Sequence, residues 1–218
     1  MRATIFLMIV TLLSACSTTS PEVGMQQDVD QATAIIQRFQ EIQEKGIPPS
    51  VLKAARGVAI LTVTKAGFIG SVRGGSGVVV ARTDKGWSGP SEIGTGGLGA
   101  GFQAGVDITE FVMILNTPAA VEAFSKQTNF TLGGNVGISA GPVGRSAEAS
   151  VGLQSAIYSY SRSQGFFAGV SLEGTAISVK DDYNQAYYGR AVTAQEILSG
   201  KVQPPAGARN LLSVLSKY

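Results

Sequence analysis

Between residues 26 and 45, apolar side chains recur at Val29, Ala32, Ile35, Ile36, Phe39 and Ile42. Steps of three and four place them on one stripe of an α-helix, and Gly46 with Pro48 and Pro49 beyond it ends that helix. The opposite face carries Asp28, Asp30, Glu41 and Glu44 against Arg38 and Lys45. It lacks the basic flank of a membrane-surface helix, so the stripe is expected to pack onto the domain. Residues 50–56 predict a second, short helix opened by Ser50 as a capping residue and stopped by Gly57. After that the period falls to two. Segments 58–63, 77–82, 110–115, 135–140, 147–153, 157–161, 166–172 and 175–180 read as strands, with a turn at 83–86 ahead of Trp87. Residues 117–127 interrupt them as a helix, with Thr117 as cap and Pro118 in the first turn. Thr193-Ala194-Gln195-Glu196 is a capping box opening a helix that stops at Gly200, and the C-terminal stretch sets Leu211, Leu212 and Leu215 on one face. The pattern predicts an α+β domain, a β-rich body with helices at both ends.

The middle of the chain reads EIGTGGLGAGFQAG, residues 92–105, and holds a literal G-x-G-x-x-G at Gly94, Gly96 and Gly99. A dinucleotide fingerprint needs a helix opening at those glycines. Here Leu98, Ala100, Phe102, Ala104 and Val106 instead alternate with Gly97, Gly99, Gly101, Gln103 and Gly105, the period of a strand with one face nearly bare. The device recurs where Val136, Ile138 and Ala140 alternate with Gly137, Ser139 and Gly141, and where Gly165 and Gly169 flank Phe167. Glycine weakens a strand unless the missing side chain makes room for a bend or a neighbouring backbone. The expectation is a strongly curved antiparallel sheet or small barrel, with no nucleotide cofactor.

Composition narrows the chemistry. A chain of 218 residues with 44% hydrophobic content supports one core. Charged residues are 15% and the formal balance is +2, without the field of a nucleic-acid binder. The 28 glycines are nearly twice the ordinary share of about 7% and follow no triplet repeat, so a folded structure uses them. There is no histidine, which removes the usual general base and the commonest metal ligand. Two carboxylate pairs, Asp181 with Asp182 and Asp107 with Glu110, are the candidates for acid/base work. The first reads as the start of a helix in DDYNQAYYG. No catalytic residue, metal or cofactor is assigned, and the chain is read as non-enzymatic.

The N-terminus is read as an address. Arg2 precedes an apolar run at residues 5–13, too short to span a bilayer and suited to a signal peptide. Leu13-Ser14-Ala15-Cys16 resembles the bacterial lipobox, which implies cleavage before Cys16 and lipidation of that cysteine, the only one in the chain. Residues 1–15 are then the signal peptide, 16–25 a lipidated tether and 26–218 the domain. Several acyl chains on one residue anchor stably. Ser17 in place of Asp implies, by the sorting rule of Gram-negative lipoproteins, the outer membrane.

Along the body an ordered series of motifs stands out: Lys65-Ala66-Gly67-Phe68, Gly77-Val78-Val79-Val80-Ala81-Arg82, Trp87-Ser88-Gly89-Pro90-Ser91, Gly101-Phe102-Gln103-Ala104-Gly105 and Gly141-Pro142-Val143-Gly144-Arg145. Tyr158-Ser159-Tyr160-Ser161, then Gly165-Phe166-Phe167-Ala168-Gly169 and Tyr188-Gly189, complete it. From about Ser50 to the C-terminus this resembles the SYLF domain family. The resemblance implies a lipid-binding module without catalysis, some of whose eukaryotic members bind phosphoinositides or bundle actin. Actin is not an expected partner in a bacterial envelope, where anionic phospholipid is the implied ligand. A phosphate headgroup needs fixed cationic donors beside apolar surface, and Lys65, Arg73, Arg82, Lys85 and Arg145 lie in or beside the motif turns. Trp87, Tyr158 and Tyr160 fit either an interfacial anchor or a half-buried strand. The competing expectation is a scaffolding lipoprotein that contacts an envelope protein.

Overall fold

The computed structural model describes residues 19–41, 46–67, 70–100, 105–126, 129–132, 137–142, 155–164 and 175–218. Helix α1 spans Pro21–Glu41 and buries Met25, Val29, Ala32, Ile35, Ile36 and Phe39, each at most 2% exposed. Burying the larger of these side chains stabilises the fold by about 1.5–3 kcal/mol apiece, which holds α1 in place. The helix starts five residues before the predicted position because Met25 is also drawn into the core. Helix α2 is Pro49–Ala54; Pro48 stands at its cap position and Pro49 opens it, so Ser50 is not the cap that the sequence suggested.

The strands are β1 (Gly57–Gly67), β2 (Gly70–Thr83), β3 (Gly86–Trp87), β4 (Ser91–Ala100) and β5 (Gly105–Leu115), followed by helix α3 (Pro118–Lys126). After it come β6 (Asn129–Thr131), β7 (Ile138–Ala140), β8 (Ile157–Gln164) and β9 (Ala176–Val179). Helices α4 (Asp181–Tyr188), α5 (Ala194–Leu198) and α6 (Arg209–Leu215) close the chain. The strands form one strongly curled sheet in the order β6-β9-β4-β2-β1-β5-β8-β7, with β3 paired to β2. The α+β expectation holds. One correction concerns direction: β7 pairs with β8 in parallel, so the sheet is mixed and not wholly antiparallel. The predicted strands at 147–153 and 166–172 lie outside the described residues.

Both sheet faces are covered. On one, Val58, Ile60, Val78, Val80, Val112 and Ile114 pack under α1, α2 and α6; on the other, Ala59, Leu61, Val79, Phe111 and Met113 pack with α3, Phe130 and Leu198. That two-sided burial is why β1 and β2 read as continuous apolar runs where they cross the core. Local signals set the helix starts. Thr117 Oγ1 accepts from Ala120 N at 3.1 Å, and the capping box forms with Glu196 N donating to Thr193 Oγ1 at 3.2 Å and Thr193 N to Glu196 Oε2 at 2.9 Å. Asp181 and Asp182 sit in the first turn of α4, where they favour the positive helix end, but neither side chain caps it.

The G-x-G-x-x-G glycines lie in β4, with no helix opening there, as the alternation predicts. β4 ends at Ala100 and β5 begins at Gly105, so residues 97–100 and 105–106 of the alternating stretch fall on strands on opposite flanks of the β1–β2 pair, with residues 101–104 outside the described residues. The close approach of β2 to β1 depends on missing side chains. A Cβ at Gly77 would stand 2.1 Å from Ile60 O and 2.5 Å from Leu61 Cα.

Candidate functional site

One end of the sheet gathers the residues of interest. Gly67 of β1 pairs with Gly105 of β5, and Gly70 of β2 with Ala100 of β4, so four strands finish at the same edge. Two residues in from it, Arg73, Lys65 and Asp107 stand directly opposite one another on β2, β1 and β5. Partners in antiparallel register project from the same face, so the three side chains share one side of the sheet. Asp107 is 1% exposed; its Oδ2 accepts from Thr109 Oγ1 at 2.7 Å and its Oδ1 from Ser163 Oγ. Arg73 reaches Thr175 Oγ1 with Nη1 at 3.4 Å and lies over Gly97, where an added Cβ would come within 3.3 Å of its Cγ and Nε. Gly97, in the same glycine-rich stretch but outside the G-x-G-x-x-G positions, therefore leaves room for an arginine.

The other cations expected to bind headgroups lie elsewhere. Arg82 is nine residues along β2, roughly 30 Å away at about 3.3 Å per residue. Its Nε donates to Ala55 O at 3.0 Å and its Nη2 to Leu52 O at 3.2 Å, and its guanidinium stacks 4.3 Å from the Trp87 ring centre. Those bonds close the C-terminal end of α2 and tie it to the β2–β3 turn. Arg82→Met is expected to lower stability by about 2 kcal/mol, with Arg82→Lys restoring little because lysine lacks the fork. Thermal denaturation of the three proteins checks this. Lys85 is exposed in the same turn region. Cys16 and Arg145 lie outside the described residues.

The acidic candidates do not converge. Asp107 and Glu110 are three apart on β5 and face opposite sides of the sheet. Glu110, 3% exposed, is held by Arg38 of α1, whose Nη2 and Nε donate to its two carboxylate oxygens at 2.5 and 3.3 Å. Asp181 and Asp182 are exposed. The aromatic pair belongs to the core: Tyr160 is 5% exposed and donates to Pro142 O at 3.0 Å, and Tyr158 and Trp87 pack against the buried cluster under α1.

Sequence reading passed over Glu92. It sits in β4 beneath the N-terminal half of α1, 1% exposed, with both carboxylate oxygens unpartnered at ordinary hydrogen-bond geometry although Asp28 lies close enough to act on it. Burial first, and then Asp28, push its pKa up to about 11, so it is neutral at pH 7. Asn184 of α4 accepts from Glu92 N at 2.8 Å and donates to Ser91 Oγ at 3.1 Å, joining the C-terminal helices to the strand. The sequence carries no local signal for this, since it depends on α1 and α4 lying over a strand distant in the chain.

These features define an α+β domain built on one curled sheet, with a cation pair and a buried carboxylate at one strand end. The chain belongs to the family described as Ysc84, Las17-binding protein actin regulator, whose pattern matches residues 96–218. The expected SYLF resemblance is thereby borne out. Among its relatives, LAS seventeen-binding protein 3 of Saccharomyces cerevisiae is 53% identical over 174 residues, covering 78% of this chain and 38% of that protein. SH3 domain-containing YSC84-like protein 1 of Homo sapiens is 44% identical over 203 residues, covering 89% of this chain and 59% of that protein. The chain therefore spans less than two thirds of either relative.

Proposed function

We propose that this chain is a non-catalytic domain that binds anionic phospholipid, held at a membrane through lipidated Cys16 after removal of residues 1–15, with the outer membrane of a bacterial envelope as its site. The observation that carries the headgroup reading is the direct cross-strand pairing of Lys65 with Arg73. Like charges opposite each other cost stability, and Asp107 stands on the far side of Lys65. A strand end that keeps two cations side by side is suited to an anion with several oxygens, which a guanidinium can fork and an ammonium can neutralise. The separation of Asp107 from Glu110 and the exposure of Asp181 and Asp182 support a binding role over acid/base chemistry.

A second reading rests on the relatives' names, one of which describes a protein that binds LAS seventeen. On that reading the domain contacts a protein, which for a lipoprotein is an envelope partner. Co-sedimentation of residues 17–218 with phosphatidylglycerol vesicles separates the two. Lys65→Glu with Arg73→Glu is expected to weaken sedimentation at least tenfold, and raised salt to weaken that of the unmodified protein, since exposed charge attraction is screened. Equal binding by both proteins, or binding unaffected by salt, contradicts the headgroup role.

A further inference from the structure

Among the described residues four large apolar side chains are prominently exposed: Val23 at 49%, Val72 at 62%, Val106 at 61% and Ile108 at 43%. Three of them fall together. Val72 and Val106 flank Ala66 in one cross-strand row at the strand end, and Ile108 stands opposite Thr64 in the next row. All lie on the face that α1 covers further in. The helix reaches only the row of Ser76, Thr62 and Glu110, where Asp28 Oδ1 accepts from Ser76 Oγ at 3.0 Å and Arg38 holds Glu110. Between α1 and the apolar rows runs a groove of about 310 Å³ along Gln27, Gln31, Thr64 and Gly74.

We propose that this strand end, through Val72, Val106 and Ile108, is the surface the domain presses into the boundary between headgroups and acyl chains of an anionic bilayer. The inference rests on the phospholipid reading above and names the apolar half of that contact. Two observations favour lipid as the occupant. Arg73 and Lys65 occupy the row adjacent to Val72 and Ala66 and project to the other side of the same strands, so cations flank the apolar side chains at the depth where phosphates meet hydrocarbon. Among the described residues the patch consists of small aliphatic side chains, without the tryptophan, tyrosine or arginine that anchor most protein interfaces. Aliphatic side chains of this size need no shaped pocket to be stabilised in hydrocarbon.

The test places an environment-sensitive dye at Val106→Cys in the full chain carrying Cys16→Ser, with the dye at Lys85→Cys, in the turn at the opposite end of β2, as control. On phosphatidylglycerol vesicles the dye at 106 is expected to shift to the blue and brighten severalfold, while the dye at 85 stays as in water. Val72→Asp with Val106→Asp, both at exposed positions, is expected to weaken vesicle affinity about tenfold with the melting temperature unchanged. A dye at 106 that does not respond on a chain that sediments with vesicles overturns this inference and leaves the role of Lys65 and Arg73 standing. A chain that does not sediment overturns both. A blue shift without lipid, appearing as protein concentration rises or on adding purified actin, assigns the patch to a protein contact and also overturns the inference.

Discussion

Gly77→Ala is expected to destabilise the domain by about 3 kcal/mol or more, whereas Gly74→Ala, three residues away on the same strand, stays within about 0.5 kcal/mol of the parent. At Gly77 the new methyl would meet Ile60 O, Leu61 Cα and Leu61 Cβ at 2.1, 2.5 and 2.7 Å, mostly backbone that cannot rotate away. At Gly74 a Cβ meets nothing within 4 Å. The first glycine lets β2 close onto β1; the second only leaves the sheet face bare. Urea denaturation of the two variants separates these roles, and equal losses would contradict the use of glycine for sheet curvature.

Glu92→Gln is expected to stabilise the protein at neutral pH and to flatten its pH dependence. Below about pH 4.5 the carboxyl is protonated in both folded and unfolded chains, so the substitution changes little there. Between that point and about pH 11 the unfolded chain ionises while the folded one keeps its proton, so stability falls as pH rises. At about 1.4 kcal/mol per pH unit the cost at pH 7 is at most about 3.5 kcal/mol. Glutamine keeps the shape without the charge, and its amide can donate to Asp28. Denaturation curves at pH 4, 7 and 9 should diverge as pH rises; parallel curves would mean that Glu92 ionises without cost where it lies.

Local chemistry was well recorded in the sequence. The stripe from Val29 to Phe39 is buried along its length, Thr117 and Thr193 cap their helices, and the glycines at 94, 96 and 99 lie in a strand. What the pattern could not carry is pairing between distant segments. Nothing local tells Ile138 to run parallel to Ile157, or divides the alternating glycine stretch between two strands separated by the β1–β2 pair. Ser50 misled because Pro49 already supplies the preset backbone of a first helical turn.

The candidate site was half legible. Lys65 and Arg73 were singled out by residue type, and their adjacency follows from the register of one hairpin, while Arg82 carried the same signal and is engaged with α2. Residue type identifies a cation but not what its donors already hold. Val106 reads as part of an alternating strand while Val72 and Ile108 fall outside the predicted strands, and a strand pattern does not reveal where a covering helix stops. Glu92 depends on the same long-range geometry from the opposite side, being covered where its residue type would favour water.

Anionic phospholipid is the proposed ligand of the Lys65–Arg73 strand end. Native mass spectrometry of residues 17–218 with an equal mixture of phosphatidylglycerol and phosphatidylcholine tests it most directly. The predicted result is selective retention of phosphatidylglycerol, lost when Lys65→Glu and Arg73→Glu are combined and kept in Arg82→Met. Equal retention of both lipids, or selectivity that survives the double charge reversal, would contradict it.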